Sequence, residues 1–164
     1  MARTVLIMRH GKSRWDEPNV ADHDRRLTGR GKEDARRMGE ELRARDLVPD
    51  AIVSSTARRA RSTARRVRRA SGSEGRVRLH AGLYFEGLEP FVEVLATLGP
   101  AVRRVLLVGH NPTVEELVFH LTGEVVAMPT ATLAGVELAI DDWSEVDETT
   151  AGTLRLLVTP RELR

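Results

Sequence analysis

Hydrophobic and polar positions along the chain follow two spacings, which predict strands and helices in regular succession. Six short segments are apolar or alternate between apolar and polar residues, as buried and half-buried strands do. Between most of them, apolar residues recur every three or four positions, as in amphipathic helices. The predicted strands cover 4–9, 51–53, 76–80, 104–109, 133–140 and 153–159. The predicted helices are one capped by Thr28 and closed before Pro49, and three over 57–70, 88–98 and 113–121.

This alternation predicts an α/β fold, a three-layer sandwich with a mostly parallel central sheet and helices on both faces. The acidic segment 141–152 separates the last two strands without a helix, which indicates an antiparallel pair at one edge. The chain has 164 residues and shows neither internal repeats nor low-complexity segments. We therefore expect one domain over 1–164.

Composition narrows the class of protein. Hydrophobic residues make up 41% of the chain and charged residues 30%, as in soluble globular proteins. No apolar stretch approaches the roughly 20 residues of a membrane span, and the first strand starts too early to leave room for a signal peptide. The chain has no cysteine, which excludes disulfides and thiolate metal sites. We expect a cytoplasmic protein that does not associate with membranes.

The charges argue against nucleic acid as the main partner. The 26 basic residues, 24 of them arginine, are nearly balanced by 24 acidic ones, and aromatic residues make up only 4%. Nucleic-acid binders usually carry a strong positive charge or aromatic stacking platforms. We interpret most arginines of the 57–70 helix as its solvent-exposed face: Arg61, Arg65, Arg66, Arg68 and Arg69.

Two of the predicted strands lead directly into a histidine. The first is followed by Arg9-His10-Gly11, and the strand over 104–109 ends in Gly109-His110-Asn111-Pro112. The carboxyl ends of parallel strands share the edge of the sheet where α/β proteins bind ligands. Arg9 offers a planar fork for phosphate oxygens, Gly11 permits close backbone approach to a ligand, and a neutral histidine can attack phosphorus. We expect His10 and His110 to meet in one pocket that handles a phosphoryl group, although a lone strand-end histidine is usually structural.

A third strand end carries hydroxyl groups and then arginines. Ser54 and Ser55 close the strand over 51–53, and the next helix begins almost at once with Arg58 and Arg59. Helix N-termini favour anions through free amides and the helix dipole, so both arginines are candidate phosphate ligands. His23 lies in an acidic loop but has no second ligand cluster at a defined spacing. We expect neither a metal nor another cofactor.

Three segments, in order, resemble the histidine phosphatase (phosphoglycerate mutase-like) superfamily. They are Arg9-His10-Gly11, the pattern Ser55-x-x-x-Arg59-Ala60-x-x-Thr63, and Gly109-His110-Asn111-Pro112. The sequence is more similar still to the short SixA-type branch of phosphohistidine phosphatases. Local matches at Lys12-Ser13-x-Trp15-Asp16, at 22–31 and at Leu83-Tyr84 extend the resemblance over nearly the whole chain.

The resemblance implies a role for each matching residue. His10 would be the nucleophile that becomes phosphorylated, Arg9 and Arg59 would bind the phosphoryl oxygens, and His110 would stabilise the transferring group. Arg59 is the match rather than Arg58, because it lies four residues after the serine and directly before the alanine. Arg25 and Ser13 match residues that can reach phosphate or substrate, and Gly11 completes the signature.

Two features of the resemblance leave alternatives open. Larger members place a glutamate after the third strand, which makes Glu86 the candidate general acid or merely the solvated start of a helix. The branch commonly reads Arg-Pro-Leu where this chain has Arg25-Arg26-Leu27, so we expect a less rigid and more basic loop.

The implied function is a phosphatase that acts on phosphohistidine in a protein or on an accessible small phosphoester. A mutase is less expected because no insertion is present to close the site against water. The alternative from another class is a non-catalytic phosphate-binding module. The sequence indicates no oligomeric state.

Overall fold

The predicted strands and helices are present in the structure, a computed structural model that describes residues 2–164. The strands are β1 Arg3–Arg9, β2 Ala51–Ser54, β3 Val77–Leu79, β4 Arg104–Gly109, β5 Leu133–Leu138 and β6 Gly152–Val158. The helices are α1 Gly29–Ala44, α2 Arg58–Ser71, α3 Glu89–Ala96 and α4 Thr113–Thr122. Four short 3-10 turns were not predicted: Asp22–Asp24, Ala81–Leu83, Trp143–Glu145 and Pro160–Leu163.

The six strands form one sheet in the order β3-β2-β4-β1-β5-β6. The first four strands of that order run parallel, whereas β5 is antiparallel to β1 and β6 is antiparallel to β5. Arg9 pairs with Gly109 and Ser54 pairs with Val108. The segments that follow β1, β2 and β4 therefore leave the sheet side by side at one edge, because parallel strands in register end together.

Each face of the sheet is covered by two helices, which confirms the three-layer α/β sandwich. Successive side chains of a strand point to opposite faces. Accordingly, Leu6 and Met8 of β1 are buried with α1 and α2, while Val5 and Ile7 are buried with α3 and α4. Within residues 2–164, none of the helices has both the length and the apolar composition needed to cross a membrane.

The start of α1 is held by a cap and by close backbone packing. The Thr28 side chain accepts a hydrogen bond from the Gly31 amide at 3.0 Å, as the sequence predicted for an N-cap. Gly31 lies directly against the backbone of Lys12, at a distance that leaves no room for a Cβ. The loop that follows β1 is thus fixed to the first turn of α1.

Candidate active site

His10 and His110 face each other at the edge where β1 and β4 end. Their ring centroids are 5.0 Å apart and the rings are inclined by 57°. His10 is buried and His110 is half-buried, so the pair is open to solvent from the His110 side. The expected meeting of the two histidines follows from the parallel register of the strands that carry them.

The hydrogen bonds of His10 define which ring nitrogen is free. Nδ1 lies 2.7 Å from the carbonyl oxygen of Gly11, which can only accept, so Nδ1 carries the proton. Nε2 then holds a lone pair, toward which the Nε of Arg59 donates at 3.3 Å. Burial lowers the pKa of His10 to about 3, and the charges of Arg59 and Arg9 act in the same direction. His10 is therefore a neutral imidazole near pH 7, with Nε2 directed at an arginine.

His110 is oriented by a residue at the end of β2. Its Nε2 lies 2.7 Å from the hydroxyl oxygen of Ser55, so the serine of the sequence pattern holds the second histidine. Burial lowers the pKa of His110 to about 4, assisted by the charge of Arg59. Both histidines are thus neutral in the absence of a bound anion.

Arg59 connects the histidines to the loop that precedes α1. Besides its contact with His10, it donates from Nη1 to the backbone oxygen of Asp22 at 2.7 Å and from Nη2 to the Asp22 carboxylate at 3.1 Å. The Thr63 hydroxyl donates to the Arg59 carbonyl at 2.7 Å and accepts from the Gly11 amide at 3.0 Å. Arg59 is buried and Arg58 is exposed, so only Arg59 of the two candidates reaches the histidine pair.

Asp22 is the residue that gathers the most site contacts, and sequence reasoning missed it. Its carboxylate also accepts hydrogen bonds from Arg25 Nε at 3.2 Å and from the Tyr84 hydroxyl at 2.6 Å. The Tyr84 hydrogen bond and the Arg59 contact lower the pKa of Asp22 to about 2. The Tyr84 ring in turn lies edge-on to His110, with centroids 5.6 Å apart. The sequence signals for Asp22 were the family match that begins at residue 22 and its place three residues before Arg25, which resembles any surface ion pair.

Arg9 is placed by a carbonyl from a segment distant in sequence. Its Nη1 donates to the Met128 oxygen at 3.2 Å, and Asn111 Nδ2 donates to the same oxygen at 3.1 Å. Within residues 2–164, the buried Nε of Arg9 has no hydrogen-bond partner, which leaves a donor available to an anion. The Ala131 amide donates to the backbone oxygens of both Arg9 and His10. No local pattern around Met128 or Ala131 indicated this support.

Arg25 and Ser13 lie in the loop between β1 and α1. The Arg25 guanidinium carbon is 3.4 Å from the centroid of the Trp15 ring, a cation–π contact. Ser13 is buried and its backbone pairs with that of Leu27. The loop is better tied down than expected, because Arg26 forms a bidentate ion pair with Glu17 at 2.8 and 3.2 Å.

Other candidate residues have surroundings that differ from the expectation. The Gly11 amide is used by Thr63, and a Cβ there would meet the Gly31 oxygen at 2.7 Å, so the close approach at Gly11 is to α1. Glu86 is exposed and forms no hydrogen bond or ion pair within the described chain.

His23 lies beside the site. Its Nε2 is 2.9 Å from the Thr56 hydroxyl and its ring contacts Tyr84. Across residues 2–164, no three His, Asp or Glu side chains cluster as metal ligands.

Comparison with known families and relatives shows which proteins this chain is similar to. The family model described as histidine phosphatase superfamily (branch 1) matches residues 5–84. An uncharacterised protein of Mycobacterium tuberculosis is 34% identical over 133 residues, covering 81% of this chain and 75% of the relative. A 2,3-bisphosphoglycerate-dependent phosphoglycerate mutase of Nocardioides is 38% identical, but over only 39% of this chain and 27% of the mutase.

Solved structures give the same result over the full length. A candidate phosphohistidine phosphatase SixA from Nakamurella multipartitia has a TM-score of 0.84 at 27% identity, covering 98% of this chain and 97% of that one. A protein histidine phosphatase SixA complexed with tungstate also has a TM-score of 0.84 at 27% identity, covering 98% and 99%. The chain therefore belongs to the histidine phosphatase superfamily, within its SixA-type branch.

Proposed function

We propose that this phosphatase removes the phosphoryl group from phosphohistidine in a protein, with His10 as the nucleophile. The observation that carries the proposal is the pair of contacts on the His10 ring. Gly11 holds the Nδ1 proton at 2.7 Å, and Arg59 donates toward Nε2 at 3.3 Å. A neutral imidazole whose free nitrogen faces a guanidinium is prepared to attack a phosphorus atom whose oxygens that guanidinium binds.

In the first step, His10 Nε2 forms a bond to phosphorus as the phosphorus–nitrogen bond of the substrate breaks. The far ring nitrogen of the substrate histidine takes up a proton from solvent before this bond breaks, so that the group that leaves is a neutral imidazole. Arg9 and Arg59 bind the phosphoryl oxygens, Arg25 and Ser13 assist from the loop, and His110 contacts the group from the opposite side. These groups stabilise the charge that spreads over the oxygens in a loose transition state.

In the second step, water attacks the phosphorus of phospho-His10. The bond to Nε2 breaks, inorganic phosphate leaves, and His10 returns to its neutral form with Nδ1 bonded to Gly11. The proposal assigns the charge stabilisation to arginines, so it needs neither a metal nor another cofactor. The tungstate complex of the similar SixA structure supports an oxyanion site, since tungstate is a tetrahedral oxyanion like phosphate.

The need for a general acid to protonate the leaving group favours phosphohistidine over an alkyl phosphate as the substrate. A leaving imidazole is far less basic than an alkoxide and needs no positioned proton donor. Asp22, whose carboxylate contacts Arg59 and Tyr84, has a pKa of about 2 and is therefore ionised near pH 7. For an alkyl phosphate, Glu86 stays the candidate general acid.

The rim of the site also favours a protein substrate. Trp15 stacks on Arg25 and is 80% exposed, and Phe85 contacts the Tyr84 ring and is 64% exposed. Exposed aromatic side chains beside a binding site are typical protein-contact residues. The alternative is a small phosphomonoester that reaches the same phosphate pocket without touching this rim.

Rapid-quench labelling tests the nucleophile. Enzyme mixed with a 32P-labelled substrate and quenched within milliseconds should carry label that is stable in base and lost in acid, as phosphohistidine is. His10→Ala should abolish the label and lower turnover at least about 10³-fold. His120→Gln, which changes a half-buried histidine of α4, is the matched control and should label normally. Label that persists in His10→Ala would assign the nucleophile elsewhere.

A comparison of turnover rates tests which class of substrate the enzyme prefers. A phosphohistidine protein should be hydrolysed with a kcat/KM at least about 10²-fold above that of any member of a panel of sugar and nucleotide phosphates. A sugar or nucleotide phosphate that surpasses it would favour the small-molecule alternative. Absence of turnover with all of them, despite phosphate binding, would favour the binding module.

A further inference from the structure

Helix α2 is rich in arginine, and the proposed reaction uses only one of these residues, Arg59. Nine arginines and a single acid, Glu74, lie between residues 58 and 78, although the whole chain has a net charge of only +2. The acids are concentrated elsewhere: the segment 137–150 contains six of them and no basic residue. Only Arg59 of the nine arginines contacts the histidine pair.

Apart from Arg59, the arginines of α2 have no acidic partners within the described chain, whereas several arginines on and just after α1 do. On α1, Arg36 pairs with Glu33 and Glu40, and the following Arg45 pairs with Glu41. On α2, Arg59 reaches Asp22, but within the described chain none of the other arginines forms an ion pair. A bias toward arginine in the whole sequence would affect both helices alike, so it does not explain this difference.

The unpaired arginines surround a groove rather than a flat face. Its volume is about 540 Å³ and it is lined by Arg58, Arg61, Ser62, Arg65, Arg66 and Arg69. The Nε atoms of Arg61 and Arg66 are buried yet have no hydrogen-bond partner within residues 2–164. Buried donors are nearly always satisfied in native proteins. The solvent-exposed face expected from the sequence is therefore incomplete as a description, because Arg61 and Arg66 line a groove and each has a guanidinium nitrogen that is buried without a partner in the described chain.

The groove begins at the N-terminal end of α2, the end that also carries Arg59. Arg58 is adjacent in sequence to Arg59, whose Nε contacts His10. From residue 58 to residue 69, an α-helix advances about 16 Å, which is the span of roughly five extended residues. A protein whose phosphohistidine occupies the site would lay residues from its immediate surroundings along this groove.

We propose that the α2 groove is a docking surface for an acidic face of the phosphohistidine-bearing protein. The proposal rests on the proposed function and adds the kind of partner. Carboxylates supply the acceptors that the unpaired guanidinium groups lack, in bidentate geometry. Such complementarity selects partners and speeds their association more than it strengthens the bound state. The acidic segment 137–150 would repel the same acidic partner if it approached that part of the surface.

Matched phosphohistidine peptides test the docking surface. Two sets carry five glutamates or five glutamines directly before or after the phosphohistidine. We expect at least one glutamate peptide to exceed its glutamine counterpart about tenfold in kcat/KM at about 50 mM salt, and less than about threefold at 0.5 M. The triple variant Arg61→Gln, Arg65→Gln, Arg69→Gln should abolish this preference while hydrolysing an aryl phosphate at the wild-type rate.

The control variant removes the same number of positive charges from positions outside the groove. Arg43→Gln, Arg45→Gln and Arg155→Gln together replace three exposed arginines outside the groove and should retain the preference for glutamate. Equal hydrolysis of glutamate and glutamine peptides by the wild type would overturn the docking proposal. If the wild type and the control variant bind a 20-nucleotide single strand tightly and the triple α2 variant does not, the groove would instead be assigned to nucleic acid.

Failure of the proposed function would give a different result. In that case the wild type would hydrolyse the aryl phosphate but none of the phosphohistidine peptides. Fluorescence anisotropy then measures how tightly the same peptides bind to His10→Ala, which tests the docking proposal separately. A preference for glutamate that depends on Arg61, Arg65 and Arg69 would support it, and equal affinities would contradict it.

Discussion

Asp22 accepts two hydrogen bonds from Arg59, one on its backbone oxygen at 2.7 Å and one on its carboxylate at 3.1 Å. This double contact fixes the guanidinium plane, so that the Nε of Arg59 points at His10. The same carboxylate holds Arg25 and Tyr84. Asp22, an acid three residues before Arg25, thus positions two of the cations around His10.

Asp22→Asn should lower kcat/KM for an aryl phosphate about tenfold, because Arg59 and Arg25 lose the charge that orients them. Asp24→Asn, in the same 3-10 turn, is the control and should change kcat/KM less than about twofold. Steady-state kinetics of the two variants measure the difference. A positioning role predicts that Asp22→Glu recovers part of the loss, and equal activities of Asp22→Asn and wild type would contradict it.

Arg59→Lys should be nearly as inactive as Arg59→Ala, with kcat/KM reduced about 10²-fold or more. A lysine amine cannot contact His10 and both acceptor groups of Asp22 at once. Arg58→Lys changes the neighbouring exposed arginine and should leave the reaction intact. Recovery of most activity by lysine at position 59 would show that charge alone suffices there.

The pKa values of the histidines predict the pH dependence of stability. His10 and His110 have folded pKa values of about 3 and about 4, below the unfolded value of about 6.5. Between these values the unfolded chain binds more protons than the folded one. The free energy of unfolding should therefore fall as pH is lowered from 7 to 5, by up to about 1.4 kcal/mol per histidine per pH unit.

Urea unfolding at several pH values between 5 and 7 measures this slope. His10→Gln should flatten it, since glutamine does not titrate, and His10→Gln with His110→Gln should flatten it further. A wild-type stability that is independent of pH over this range would mean that the histidines titrate alike in both states.

Gly31→Ala should destabilise the protein by about 3 kcal/mol, because the new methyl group would collide with the Lys12 backbone and neither segment can shift without moving the other. Gly29→Ala is the matched control: it lies two residues earlier, its Cβ would meet nothing within 4 Å, and it should be neutral or slightly stabilising. Thermal unfolding of the two variants makes the comparison. Similar melting temperatures would show that the backbones of Lys12 and Gly31 can separate at little cost.

The sequence by itself determined the elements that depend on local pattern and the residues at strand ends. Apolar runs and helical spacing predicted every strand and helix, because burial of one face or both imposes a period. Parallel strands end at a common edge, which brings His10 and His110 together once the sheet forms. Arg59 was distinguished from Arg58 only by the resemblance to the family, whose arginine lies four residues after the serine and directly before the alanine.

Only the tertiary structure decided which groups support these residues. Asp22 reaches the site from a 3-10 turn, Tyr84 from the end of another and Met128 from a loop, and such positions follow no period that a sequence reveals. The role of Gly11 also changed, since the backbone it approaches belongs to α1, twenty residues away. The sequence already shows that α2 has seven arginines and no acid, whereas α1 has both. Only the structure showed that, within residues 2–164, no acid from another element approaches the arginines of the groove, because an ion pair depends on a distance in space.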